Sequence, residues 1–289
     1  MKYYLRFLIA AFFIGVVTFL LYGSSNRPDV PATLVLLDGS FQRALMWPGS
    51  LPELLTHYLP LLLFQIFYGT MIYRHFCTAS VYYFSRKTNR VKWFLPECGM
   101  LLLYAFAYTA VLIGSGFGIV AAFGKFQWDA GALPLLVYYL VLHALFLFFT
   151  TLAINVLSIL LTGNAAFLIV EAVCLVNVAI YSVLEPISRN AAGYEAPAFV
   201  TPGYVEPNFL KDWMWAIRPN FIANLNLALH SHGIGVPEGL INLKDLDFGL
   251  NGSVVYFLAL SVLVLLAGCV IVAKHSFIES NKETGGVFS

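Results

Sequence analysis

A chain of 289 residues that is 60% hydrophobic and only 11% charged would expose wide apolar patches in water, where domains carry about 25% charged residues. A mean hydropathy of +0.81 points to lipid, which accepts an apolar exterior. The net charge of +1 excludes the clustered positive charge of a nucleic-acid binder, and 16% aromatic residues suit a protein with two membrane interfaces.

In chain order, about six stretches reach the roughly 20 apolar residues that cross a 30 Å hydrocarbon core. They are Tyr4–Tyr22, Leu54–Tyr73, Gly99–Phe123, Leu133–Leu161, Ala165–Leu184 and Val254–Val272. The first, flanked by Lys2 and Arg6, could be read as a signal peptide. Its apolar run is longer than a usual signal core, and no small-residue cleavage site precedes Tyr22-Gly23-Ser24-Ser25, which favours a retained anchor. The fourth is long enough to tilt or to emerge at one end. Thr162-Gly163-Asn164 is a tight turn between the fourth and fifth. The expected fold is an all-α polytopic membrane protein with about six transmembrane helices in a single domain, residues 1–289.

Lys2 and Arg6, then Arg74, Arg86, Lys87, Arg90 and Lys92, then Lys274 and Lys282 fall on one side of that arrangement. The positive-inside rule makes it the cytoplasm, so both termini are expected there, in a multi-pass cell-membrane protein. Acidic residues, among them Asp29, Asp38, Asp129, Glu185, Asp212, Glu238 and Asp247, gather on the other side.

Between the second and third spans, Arg74–Trp93 lacks Pro and Gly. Phe76, Ala79, Tyr83 and Phe84 recur at helical spacing, with Tyr82, Arg86 and Arg90 on another face. This predicts a cytoplasmic amphipathic helix over 75–92. It reads as a topology-setting loop touching anionic headgroups and, compatibly with that, as a docking element for a cytoplasmic partner. The outer region 185–252 is long for a connector. Its first half, rich in proline through Pro207, is expected to be irregular. Asp212 can then cap a short helix carrying Trp213 and Trp215, and Arg218-Pro219-Asn220 separates it from a second, beginning at Phe221. The pair is expected to be re-entrant or to lie on the outer leaflet.

Ionisable and amide side chains inside a span are costly and mark function or interhelical bonding. Glu171 is the sharpest case; it can snorkel, pair with a base or line a polar cavity. Gln65, His143, Asn155 and Asn177 join it as candidates for a translocation path. No GxxxxGK[ST] or HExxH string occurs, no internal repeat is visible, and Ser115 in Gly114-Ser115-Gly116 fits close helix packing. Cys77, Cys98, Cys174 and Cys269 show neither metal spacing nor a disulfide framework. Neither a catalytic centre nor a bound metal is expected in this chain.

About six spans, a basic helix between the second and third, and short outer helices before the last resemble the permease subunit of a type-2, exporter-class ABC transporter. The segment FYGTMIYRHFCTASVYYFSRKTNRVKW is similar to permeases encoded with bacterial peptide or lantibiotic export and immunity systems, and RPNFIANLNLALHS fits more faintly. The resemblance implies a coupling helix whose residues His75, Phe76, Tyr82, Tyr83, Arg86, Lys87 and Arg90 dock on a separate ABC ATP-binding subunit. ATP and Mg would sit in that subunit, a second permease copy or a homologous permease would complete the membrane part, and the cargo would be peptide-like or amphipathic. Two departures stand out: few residues precede the first span, where the family often has an elbow helix, and the outer region is long. The alternative is a non-transporting immunity or sensor protein that binds a peptide or partner through its extracellular region.

Overall fold

The computed structural model describes residues 8–17, 29–40, 51–82, 89–123, 125–191, 209–242 and 246–274. Most of them are helical. In order the elements are α1 (Leu8–Val17), strand β1 (Asp29–Pro31), α2 (Ala32–Gly39), α3 (Leu51–Tyr68), α4 (Met71–Tyr82), α5 (Arg90–Phe123), strand β2 (Lys125–Gln127), α6 (Ala132–Leu160) and α7 (Gly163–Ala191). After them come the short helices α8 (Met214–Ile217) and α9 (Phe221–Leu225), then α10 (Leu250–Lys274).

Among the described residues four helices are long and apolar enough to cross a membrane: α5, α6, α7 through Leu184, and α10. Their packing divides them. α6 is apolar on all sides, as a helix enclosed by others should be, and it contacts α2, α3, α4, α5, α7, α9 and α10. α7 and α10 are equally apolar but turn rows of large side chains outward. Leu168, Val173 and Val176 do so on α7, and Leu258, Leu263 and Leu266 on α10. An apolar surface of this extent is stable against lipid rather than water.

The ends of the bundle differ. One end, called here the capped end, receives the end of α5, the start of α6, the end of α7 and the start of α10. Strands β1 and β2 pair in parallel there, Asp29 with Lys125 and Pro31 with Gln127. Asp129 accepts from Thr33 N at 3.0 Å and from Thr33 Oγ1 at 2.6 Å, which satisfies the first turn of α2. α2 is buried, with Ala32 and Leu36 fully enclosed. These strands and α2 are additions to the expected all-α spans, because their pattern is too short to register as periodicity.

The open end carries the α3–α4 and α6–α7 turns. The expected second span, Leu54–Tyr73, is broken here: α3 stops at Tyr68, and α4 begins at Met71 after a turn at Gly69-Thr70. The cytoplasmic helix expected over 75–92 is likewise divided. α4 ends at Tyr82, and Asn89 Oδ1 accepts from Val91 N (3.1 Å) and Lys92 N (3.4 Å) to cap α5, so Arg90 and Lys92 open the next helix. Tyr83, Arg86 and Lys87 lie outside the described residues, as does the remainder of the first expected span around α1.

α7 runs to Ala191, past Glu185 and Pro186, where irregular chain was expected. Proline holds a helical φ, and its costs, one lost backbone bond and crowding against the carbonyl four residues earlier, fall on the last turns of the helix. Helices α3 and α5 also contain proline, at Pro60 and Pro96. Close approach brings α1 against α5, where a Cβ on Gly15 would collide with Ser115 Oγ. At the open end, Gly268 of α10 lies against Phe94 and Val156, with room for no side chain.

Candidate functional site

Polar side chains buried in an apolar bundle need partners, and α3, α6 and α7 supply them to one another. Glu171 of α7 stands a little over two turns from the open end and is 6% exposed. It does not snorkel; it faces inward. Tyr58 of α3 donates to Glu171 Oε2 at 2.7 Å. The Gln65 amide, one face of which lies 3.0 Å from Glu171 Oε1, contacts Thr150 Oγ1 of α6 at 3.0 Å with the other. Tyr58, Gln65 and Thr150 are 0–1% exposed. Among the described residues no Lys, Arg or His forms an ion pair with Glu171.

His143 belongs to a different place. Its ring stacks on Tyr139 with centroids 4.0 Å apart, and Nδ1 bonds the Tyr139 carbonyl at 2.9 Å. With His57, Pro60 and Leu112 these side chains line an enclosed cavity of about 20 Å³, the size of a single water site.

The two asparagines serve backbone. Asn155 of α6 accepts from Tyr73 N (3.1 Å) and donates to the Tyr68 carbonyl (2.9 Å), so it closes both sides of the α3–α4 break. Asn177 of α7 accepts from Phe221 N (3.0 Å), and its carbonyl receives Asn220 Nδ2 at 2.8 Å. Of the five residues expected along a path, Gln65 and Glu171 therefore meet directly. His143 lines a separate cavity, Asn155 closes the break at the open end, and Asn177, midway along α7, holds the re-entering segment.

Asn177 is the anchor of the outer segment. Phe209–Trp213 is a stretch of 3-10 helix, within which Asp212 lies; no side chain caps α8. The rings of Trp213 and Trp215 lie 5.8 Å apart, and Trp215 is 72% exposed. Past Arg218-Pro219, Asn220 caps α9 by accepting from Ile222 N (2.9 Å) and Ala223 N (3.1 Å). α9 then enters the bundle: Phe221 packs on Phe146 and Phe149 of α6 and on Phe257 of α10, at 6.0, 5.3 and 6.5 Å. Phe257 is seven residues along α10, so the segment reaches about 10 Å past the start of that helix, and it meets α6 and α7 near their midpoints at Phe146 and Asn177. Leu225, Leu227, Ala228 and Leu229 are fully enclosed. Of the two placements expected for the pair, the first short helix presents a surface and the second is inserted.

Asn226 and His230 complete the inserted segment and are invisible to motif reading. Asn226 donates to the Tyr181 hydroxyl at 2.7 Å. His230 is wholly buried, with Nδ1 2.7 Å from the Asn226 carbonyl and Nε2 2.7 Å from Ser253 Oγ at the start of α10. Donation from Nδ1 leaves Nε2 to accept the serine proton, the neutral tautomer. Burial pulls this imidazole down to about 4. The nearest sequence signal was the Asn220-Asn224-Asn226 spacing after a proline.

At the open end His75 Nδ1 is 3.0 Å from Glu97 Oε2, bridging α4 and α5 at the surface. Phe76 points the other way, 2% exposed against Trp93 at 5.8 Å. Arg90 is half-buried, and of Tyr82 only the backbone lies within the described residues. Among those residues no group of three or more His, Cys, Asp or Glu gathers to hold a metal, and the cysteines form no disulfide.

A groove of about 510 Å³ opens at the capped end between α6 and α10, lined by Leu133, Val137, Tyr138, Val254 and Ile234. The chain matches no family model, no curated protein and no solved structure.

Proposed function

We propose that this chain is the membrane-spanning subunit of an ATP-driven, exporter-class ABC transporter. It crosses the cell membrane about six times, with both termini and the open end of the bundle in the cytoplasm. The observation that supports this reading is the attachment of α4. A short helix, leaving the bundle through a sealed break, is tied to the central helix by Asn155 and to α5 by the His75–Glu97 pair. A push on such a helix is transmitted to α6 and α5 as rigid motion rather than absorbed in a floppy loop.

The segment from His75 to Arg90 is the coupling element in this reading, and Arg86, Lys87 and Arg90 meet acidic groups of the ATP-binding subunit. That subunit holds ATP and Mg and performs the hydrolysis. A second permease, identical or homologous, completes the pathway, and the cargo is a peptide-like or amphipathic molecule drawn partly from lipid. Phe76 serves the attachment from within, since it is packed on Trp93.

The test is affinity purification of the tagged full chain from its native membrane in mild detergent, followed by mass spectrometry. A stoichiometric ABC ATPase, lost when Arg86→Glu and Arg90→Glu are combined, is the expected result. A chain recovered intact and alone, or with an extracellular protein only, would sink this reading in favour of an immunity or sensor protein.

A further inference from the structure

The Gln65 amide fits its place in either of two orientations related by a half-turn, and each demands a different state of Glu171. In the first, the amide nitrogen donates to Glu171 Oε1 at 3.0 Å and to the Leu61 carbonyl at 3.3 Å, while the amide oxygen accepts from Thr150 Oγ1 at 3.0 Å. That arrangement is complete only with an ionised carboxylate, which accepts from both Tyr58 and Gln65. In the second, the amide nitrogen donates to Thr150 Oγ1 at 3.0 Å, and Thr150 passes its proton to the Phe146 carbonyl at 2.8 Å. The amide oxygen then faces Glu171 Oε1 and, at 3.3 Å, the Leu61 carbonyl, with a long contact of 3.5 Å from the Tyr58 hydroxyl. This orientation is the costlier one until Glu171 is protonated. Two bare acceptors at 3.0 Å repel; a carboxylic acid proton between them turns the contact into a hydrogen bond.

We propose that Glu171, Gln65 and Thr150 form a proton-binding site inside the bundle, in which one proton taken up at Glu171 Oε1 reverses the hydrogen bonds joining α7, α3 and α6. The proton comes from the aqueous phase and returns to it; no bond other than O–H forms or breaks. Tyr58 keeps donating to Oε2 in both states, so that oxygen is the carbonyl of the acid form. A metal cation is the poorer occupant, because donors already cover both carboxylate oxygens.

The groups facing the carboxyl are Tyr58 and Gln65 from α3, with Cys174 on α7 itself beside Tyr58. Thr150 of α6 is reached through Gln65, and no charged side chain among the described residues pairs with the site. An ionised carboxylate in such surroundings has only two neutral donors to replace its hydration. Protonation relieves that cost without emptying the network. The proposal stands on this geometry alone and does not depend on an ATPase partner.

Infrared difference spectroscopy of the purified full chain in lipid nanodiscs, titrated from about pH 4 to about pH 9, the range over which buried carboxyls change state, tests it. Among the protonated-carboxyl C=O bands that appear and vanish within that range, one is expected to be missing in Glu171→Gln with amide bands unchanged, while those of the other acidic side chains persist. Tyr58→Phe should keep the band but move it to higher frequency, since the acid carbonyl loses its donor. Thr150→Val should move the midpoint, because the ionised arrangement loses the hydroxyl that donates to Gln65. A Glu171→Gln spectrum that keeps every band titrating in the wild type, or the absence of any titrating carboxyl band in the wild type, overturns the proposal. Should Glu171→Gln fail to fold, a full set of titrating bands left unmoved in folded Tyr58→Phe overturns it equally.

Discussion

Two interruptions of helical continuity are repaired by the same kind of residue in two parts of the bundle. At the open end, Asn155 bridges Tyr68 and Tyr73 across Gly69-Thr70. On the capped side, Asn177 and Asn220 bridge the chain that re-enters after Pro219. An asparagine suits both because it offers donor and acceptor together to orphaned backbone groups. The surroundings differ. The open-end break leads into α4, where His75 is half-exposed and bonds only a surface glutamate. The capped-side break leads into α9, whose neighbours are four aromatic rings and whose following residues are fully enclosed. The same bond pattern therefore makes a hinge ahead of a helix that reaches the surface and a plug ahead of a segment enclosed in the bundle.

Asn220→Ala should show the largest effect. It removes two cap bonds and the bond to Asn177 at a buried site, an expected loss of about 3 to 4 kcal/mol in reversible unfolding in detergent. Acidification comes second, through His230 of the plug. His230 titrates near 4 when folded against about 6.5 when unfolded, so the unfolded chain binds the extra proton between those values. Its contribution is complete above about pH 6.5 and falls as the pH drops toward 4, by at most about 3 kcal/mol. The acid slope of the unfolding midpoint should flatten in His230→Gln; an unchanged slope would remove His230 from the explanation.

Asn155→Ala should cost less, about 2 kcal/mol, because Tyr73 is only partly buried and its N–H can turn to water. Hydrogen exchange should quicken at the Tyr73 amide and leave Phe221 unchanged. If Asn155→Ala destabilises as much as Asn220→Ala, the distinction between hinge and plug is wrong. Smallest of all, Trp215→Ala at the exposed rim should stay within about 0.5 kcal/mol. A larger loss would show that the first outer helix is also part of the plug.

Much of this was legible in the chain. The helices α5, α6, α7 and α10 follow from their apolar runs, because a long run of large apolar residues has few other stable fates. Glu171 was conspicuous for the opposite reason, as the rare carboxylate within such a run. Of its partners Gln65 was marked as a polar residue in a span, but Tyr58 and Thr150 were not, since Tyr58 precedes it by 113 residues and tyrosine and threonine are unremarkable in an apolar helix. The break after Tyr68 was hidden too: Gly69-Thr70 reads as continuous hydropathy, and only Asn155 from another helix makes a break there affordable. In the outer segment Pro219-Asn220 announced an interruption. Whether the chain then lay on the surface or entered the bundle depended on the space among Phe146, Phe149 and Phe257.

The sequence by itself determined that this protein is a bundle of apolar helices suited to a bilayer, where the long helices run, and which few polar residues would need an explanation. Tertiary structure decided the explanations. Hydropathy is a property of each segment taken alone, whereas a buried carboxyl, an orphaned carbonyl or a plug is defined by what another part of the chain brings within hydrogen-bonding distance.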